Sequence, residues 1–161
     1  MLETSSSKMT LTLPSDREIE VTRVFDAPRE LVWKAYTDPA AIPHWWGPRG
    51  HTTTVDEMDV RPGGAWRYVS RDANGNEYAF HGEYREVVPP ERLVATFEFE
   101  PMPGHVSVET LTLVEHEGKT TLTNRSVFDS VEDRDGMLQS GMEAGLRETY
   151  DRLAEYLERL K

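Results

Sequence analysis

The chain has 161 residues, enough for one hydrophobic core and short for two. Its 29 acidic and 18 basic side chains leave a net charge of −11, which argues against nucleic acid and anionic membrane as partners, since either needs a clustered basic surface. Cysteine is absent, so disulfides, thiol nucleophiles and thiolate metal sites are excluded together, and no apolar run is long enough for a signal peptide or a bilayer span, which makes the cytoplasm the expected location.

Met1 to about Asp16 is polar and without periodicity and is expected to be a mobile tail, leaving residues 17–161 as a single domain. A strand is predicted near Glu18 to Phe25. Pro28 suits the first turn of a helix, with Asp26 or Ala27 in the capping position, and the helix should run to about Tyr36. Asp38-Pro39 repeats the signal, so a second short helix should follow and stop near Trp45-Trp46-Gly47-Pro48. Strands are then predicted at about Thr52 to Val60, Ala65 to Arg71, Glu77 to Val87, Arg92 to Glu100, Ser107 to Glu115 and Lys119 to Val127. Asn74-Gly75 and Glu117-Gly118 are hairpin signals, because these residues tolerate positive φ. From Ser130 to Leu160 the pattern is that of mostly one helix, with Met142, Leu146, Tyr150, Leu153, Leu157 and Leu160 on one face. Such a face must be covered, and the sheet is the only large partner available.

Three segments carry a family resemblance: FDAPRELVWKAYTDPAAIPHWWGP (Phe25 to Pro48), DVRPGGAW (Asp59 to Trp66) and GEYREVVPPERLV (Gly82 to Val94). In that order they resemble the single-domain homologues of the activator of the ninety-kilodalton heat-shock-protein ATPase. That group is a branch of the START-like, birch-pollen-allergen-like helix-grip (SRPBCC) superfamily. The resemblance runs from about Ile19 to Leu160. It implies an α+β helix-grip fold: a curved six- to seven-stranded antiparallel sheet around a long C-terminal helix, with two short helices after the first strand. It also implies a cavity between sheet and helix suited to apolar small molecules. Members include binding proteins, chaperone cofactors and a few enzymes, so function must be argued from the site.

Strand parity assigns the faces, because alternate side chains point to opposite sides. Trp66, Tyr68 and Ser70 should face the helix, as should Tyr78, Phe80, Gly82 and Tyr84. Leu93, Ala95, Phe97 and Phe99 follow in the next strand, then Leu111 and Leu113, leaving His81, Glu83 and Arg85 outward. An interior this aromatic is either a filled core or a pocket wall, and in an arbitrary domain a core is the commoner outcome. Two features favour a pocket. Gly141 and Gly145 lie in the predicted long helix, where each should cost about 1 kcal/mol relative to Ala, so either close packing or room for a ligand must explain them. Polar residues also fall at inward parity: Ser107 and Glu109, then Asn124 and Ser126. A few convergent polar groups in an apolar cavity orient a ligand, although Glu109 could equally reach solvent at a strand end. Trp45 and Trp46 are expected to cap the open end of the grip. The candidate ligand-binding set is therefore Trp45, Trp46, Trp66, Tyr68, Phe80 and Phe97, with Phe99, Glu109, Asn124, Met142, Gly145 and Leu146.

No P-loop, dinucleotide fingerprint, nucleophile elbow or HExxH spacing occurs, so no metal or cofactor is expected and no residue is assigned as catalytic. His44, His51, His81, His105 and His116 are scattered over different elements, and His44, beside the tryptophan pair, is the candidate pocket histidine. The leading function is a binding module for an apolar or aromatic small molecule. One alternative, drawn from the resemblance, is a co-chaperone-like protein contacting the heat-shock ATPase. The eukaryotic activators carry a separate N-terminal domain where this chain has about 16 residues, which argues against that contact. Another is an enzyme of cyclase or hydrolase type on a polyketide-like substrate, with Glu109 as base beside His44. Such domains often pair, so a homodimer stays open.

Overall fold

The computed structural model describes residues 9–161. Eight strands form one antiparallel sheet: β1 (Thr10–Thr12), β2 (Glu18–Phe25), β3 (Thr52–Met58), β4 (Ala65–Arg71), β5 (Glu77–Val88), β6 (Arg92–Phe99), β7 (Val106–His116) and β8 (Lys119–Phe128). Their spatial order is β1-β2-β8-β7-β6-β5-β4-β3. From β3 to β8 each strand pairs with the next in sequence, as short connections dictate. After β2 the chain must travel to the opposite edge to begin β3. It makes that crossing through α1 (Arg29–Thr37) and a single 3-10 turn at Ile42–His44. Two further helices, α2 (Val131–Gln139) and α3 (Met142–Arg159), follow β8. This is the α+β helix-grip architecture.

Periodicity explains most of the elements. On β2, Ile19, Val21, Arg23 and Phe25 are buried and alternate with half-exposed residues, the pattern of a strand with one covered face. On α3 the steps from Tyr150 to Leu153 to Leu157 lay one buried stripe against the sheet, and Phe25 meets Tyr150 edge to face at 6.0 Å. The outer face carries His81, with Glu98 and Glu100 beside it at 3.2 and 3.0 Å. Arg67 donates two hydrogen bonds to Glu100, at 2.7 and 3.0 Å, and with help from His81 holds that carboxyl at about 2 against its partial burial.

Four expectations need correction. The sheet has eight strands because β1 pairs with β2 (Thr10↔Thr22, Leu11↔Val21, Thr12↔Glu20), inside the segment expected to be a mobile tail; Met1 to Lys8 lie outside the described residues. The signal was the alternation Met9, Leu11 against Thr10, Thr12: Met9 is buried in the core and Leu11 packs against it. Helix α1 begins at Arg29, with Pro28 extended in the capping position and no side-chain cap. The exposed Arg29 N–H is instead satisfied by Glu115 Oε1 of β7 at 2.7 Å, a tertiary contact at a helix end that favours negative charge. The second short helix contracts to the 3-10 turn. Finally, the C-terminal helix is two helices. Ser130 caps α2 by accepting from Asp133 N–H at 3.0 Å, and the chain turns at Gly141, whose φ of +86° lies in the left-handed region. Gly141 is thus a joint and not a mid-helix glycine. Leu160 ends beyond α3, 42% exposed, outside the buried stripe.

Candidate functional site

Between the covered face of the sheet and α3 lies a cavity of about 480 Å³. Strands β4, β5 and β6 supply one wall through Trp66, Tyr68, Phe80, Tyr84 and Phe97. Strands β7 and β8 supply Glu109, Leu111, Asn124 and Ser126, and α3 closes the space with Met142, Gly145, Leu146, Thr149 and Tyr150. The aromatic rings brace one another: Trp46 stands edge-on to Tyr68 and to Phe80, both at 5.1 Å, and Trp66 lies tilted on Tyr68 at 4.7 Å. Phenol pairs sit deep in the fold. Burial raises Tyr150, with the negative charge of Glu109 adding to the effect, and raises Tyr36 and Tyr68 well above the ordinary tyrosine value. Tyr84 is pushed up to about 12, also chiefly by burial. All four therefore present hydroxyls, not phenolates, at neutral pH.

Of the residues singled out from sequence, Trp45, Trp46, Trp66, Tyr68, Phe80 and Phe97 line this cavity, together with Glu109, Asn124, Met142, Gly145 and Leu146. Phe99 does not. Its ring is taken up against Phe80 at 5.1 Å and Tyr78 at 6.5 Å, towards the end of β6. The two adjacent tryptophans have different situations. Trp45 is 1% exposed, its indole N–H donating to Ala35 O at 3.0 Å and its ring lying on Tyr36, so it anchors the crossing segment to α1. Trp46 is half-buried and forms wall with Tyr68 and Phe80.

His44 is not a pocket histidine. It is exposed and stacked on Tyr156 of α3 at 5.1 Å. The histidine that borders the cavity is His51, with Nδ1 3.0 Å from Ser70 Oγ and its ring 5.9 Å from Tyr78. Counting back by two from buried Thr53 on β3 would have found it, since His51 shares that parity. Arginines fasten α3 to the loop before β3: Arg152 donates to Gly47 O at 2.8 Å and Pro48 O at 3.2 Å, and Arg49 pairs with Glu155.

Glu109 faces the cavity and is held by three donors from its own sheet. Ser107 Oγ donates to Oε2 at 2.6 Å, while Ser126 Oγ at 2.6 Å and Asn124 Nδ2 at 2.9 Å donate to Oε1. All four residues stand together because they share one face of β7 and β8, whose register sets Glu109 opposite Ser126 and Leu111 opposite Asn124. Among the described residues no group of three or more His, Asp or Glu is placed to hold a metal ion.

Gly145 decides between room and close packing at the helix. A methyl group built on it meets nothing within 4 Å, apart from its own helix backbone and chain neighbours. Gly145→Ala is therefore expected to be neutral or to stabilise by up to about 1 kcal/mol through helix propensity. Gly145→Leu should stay folded while filling part of the cavity. Denaturant melts check this, and a loss of more than about 1 kcal/mol in the alanine variant contradicts the open space.

Comparison with known proteins agrees with the architecture. A family model described as Activator of Hsp90 ATPase homolog 1-like protein matches residues 26–158. A solved structure from Rhodobacter sphaeroides is 28% identical, with a TM-score of 0.88 and coverage of 94% of this chain and 99% of that one. One from Chromobacterium violaceum is 30% identical, with a TM-score of 0.75 and coverage of 86% and 95%. DynU16, described as a putative protein in the dynemicin biosynthetic locus, is 27% identical with a TM-score of 0.71; 91% of this chain covers 49% of that one. None of the curated proteins compared with the chain matches it.

Proposed function

The chain belongs to the Activator of Hsp90 ATPase homolog 1-like family, and from that premise and the lining of its cavity we propose that it is a binding protein for an apolar, aromatic small molecule. The observation that carries this reading is the cavity itself. Its volume, about 480 Å³, lies within the range of roughly 300 to 1,000 Å³ common for small-molecule sites. It combines many aromatic walls with a compact polar cluster at Glu109, the combination that gives affinity through burial and orientation through a few hydrogen bonds. Trp45, Trp46, Trp66, Tyr68, Phe80, Phe97, Glu109, Asn124, Met142, Gly145 and Leu146 form the proposed site. Action in the cytoplasm, without metal or cofactor, is part of the proposal. Among the described residues no helix is long and apolar enough to cross a membrane.

Three tryptophans on the wall supply the test. Flat aromatic and steroid-like probes should quench or blue-shift intrinsic fluorescence saturably, because the indoles become drier or stacked as the cavity fills. A probe at about 100 times its dissociation constant should add roughly 2.7 kcal/mol of stability, seen as a raised Tm. A broad panel with neither a saturable signal nor a thermal shift would sink the reading.

A second reading is turnover of a bound polyketide-like compound. The observation favouring it is the structural likeness to a putative protein of a biosynthetic locus, with His51 and Glu109 bordering one cavity here. It requires that a bound compound be recovered chemically changed. Contact with the heat-shock ATPase, the activity named in the family description, would instead appear as stable retention of that chaperone on a column carrying this protein.

A further inference from the structure

We propose that the cavity selects aromatic ligands carrying a hydrogen-bond donor, cationic or neutral, that Glu109 reads that donor, and that carboxylate ligands such as fatty acids are rejected. This deepens the binding reading above and rests on it.

The charge inventory of the wall carries the inference. Glu109 is the one acidic side chain among the described lining residues, and no lysine or arginine lines the cavity. The buried cation on β2, Arg23, is directed to Asp151 of α3 at 2.8 Å. Tyr36, Tyr68, Tyr84 and Tyr150 are held protonated and add no charge of either sign. The site therefore presents one carboxylate with no lysine or arginine beside it, the lining imidazole of His51 standing at the far station with Ser70, in a chain whose net charge is already −11. An anionic ligand meets repulsion both on approach and at the wall.

The hydrogen bonds are asymmetric. Oε1 already accepts from Ser126 and Asn124, whereas Oε2 accepts only from Ser107. An ionised carboxylate has about four acceptor positions, so Oε2 keeps one for a ligand. A purely apolar ligand lying over Glu109 would strip water from a charged oxygen and return nothing. An amine or hydroxyl would replace that water with a charge-assisted hydrogen bond. The three wall donors fix the carboxylate rotamer beforehand, so little ordering is left to the ligand.

The rest of the ligand is set by the register. Glu109 pairs with Ala95, and Ala95 with Tyr84, while the second polar station, Ser70 with His51, pairs with Tyr78. From Tyr84 to Tyr78 is six residues, or about 20 Å of strand. Between the stations the wall is aromatic, with Tyr68, Phe80 and Phe97. The ligand class is thus an extended aromatic framework with its donor at the Glu109 end.

A matched probe series on the intact protein tests this: naphthylmethylamine, naphthalenemethanol, methylnaphthalene and naphthoic acid, titrated near neutral pH by calorimetry and tryptophan fluorescence. The amine and the alcohol are expected to bind about tenfold or more tighter than methylnaphthalene, with the acid weakest. In Glu109→Gln the amine should lose about tenfold and the acid should gain. Methylnaphthalene equal to the amine, or the acid tightest, overturns the donor selectivity and leaves the binding reading standing. Absence of saturable binding by all four overturns both. The wild-type ranking decides the matter even where the variant does not fold.

Discussion

Gly82→Ala is expected to lower the unfolding free energy by about 3 kcal/mol or more, one of the largest losses available to a single methyl group in this chain. Gly82 lies in β5 on the covered face, and a Cβ there would stand 1.9 Å from Thr96 O and 2.5 Å from Trp66 Nε1. Neither neighbour is the free end of a flexible side chain. Thr96 O belongs to the backbone of β6, and the indole N–H of Trp66 reaches it at 3.1 Å through the gap that the glycine leaves. The adjacent Glu83 N–H donates to Thr96 Oγ1 at 2.8 Å, so the two strands are tied directly beside the point of conflict. Alanine must either push β5 from β6 or displace the indole, which strands a buried donor and acceptor at about 1 to 3 kcal/mol each. Urea melts with matched m-values measure the loss. A variant within about 1 kcal/mol of wild type would show that the Trp66 indole does not pass over Gly82.

Asp151→Ala should cost about 2 to 4 kcal/mol, although Asp151 itself is 42% exposed at its side chain. The reason lies with its partner. The Arg23 side chain is 2% exposed, its Nε has no hydrogen-bond partner, and its guanidinium lies 5.2 Å from the Phe25 ring centroid. Removing the carboxylate leaves a buried cation with only that ring, whereas removing the cation leaves a carboxylate that water can reach. Arg23→Met should therefore be much less damaging than Asp151→Ala, and the double variant should recover most of the loss. The order matters for the cavity as well, because the pair fastens α3, which carries Gly145 and Leu146, to β2. Equal losses in the two single variants would mean that solvent reaches Arg23 and that the pair is an ordinary surface ion pair.

How much of the site was legible follows from how local each signal is. Trp66, Tyr68 and Ser70 could be assigned inward from β4 alone, and Glu109, Asn124 and Ser126 from β7 and β8, because period two is a property of a strand and needs no partner. The same rule reaches Arg23, which has the parity of Val21 and Phe25. A charged residue at inward parity says nothing of its partner, and Asp151 lies 128 positions away. Phe99 illustrates the reverse failure. Parity placed it on the correct face, but whether a side chain borders a cavity or fills a corner depends on its neighbours' volumes, here Phe80 and Tyr78.

Residue order by itself determined the antiparallel strands from β2 to β8, the hairpin positions, the covered face and the family, since alternation, turn residues and short motifs are all written within a few positions of one another. Tertiary structure alone decided where helices break and what their ends bond to. Gly141 and Gly145 look alike in a helical pattern, yet the first is a left-handed joint and the second opens onto the cavity. His44 and His51 differ in the same way, one stacked outside α3 and the other bonded to Ser70 within. Side-chain burial is a relation between elements distant in the chain, and only the closure of α3 over the sheet places the carboxylate of Glu109, the phenol of Tyr150 and the indoles of Trp46 and Trp66 around one space.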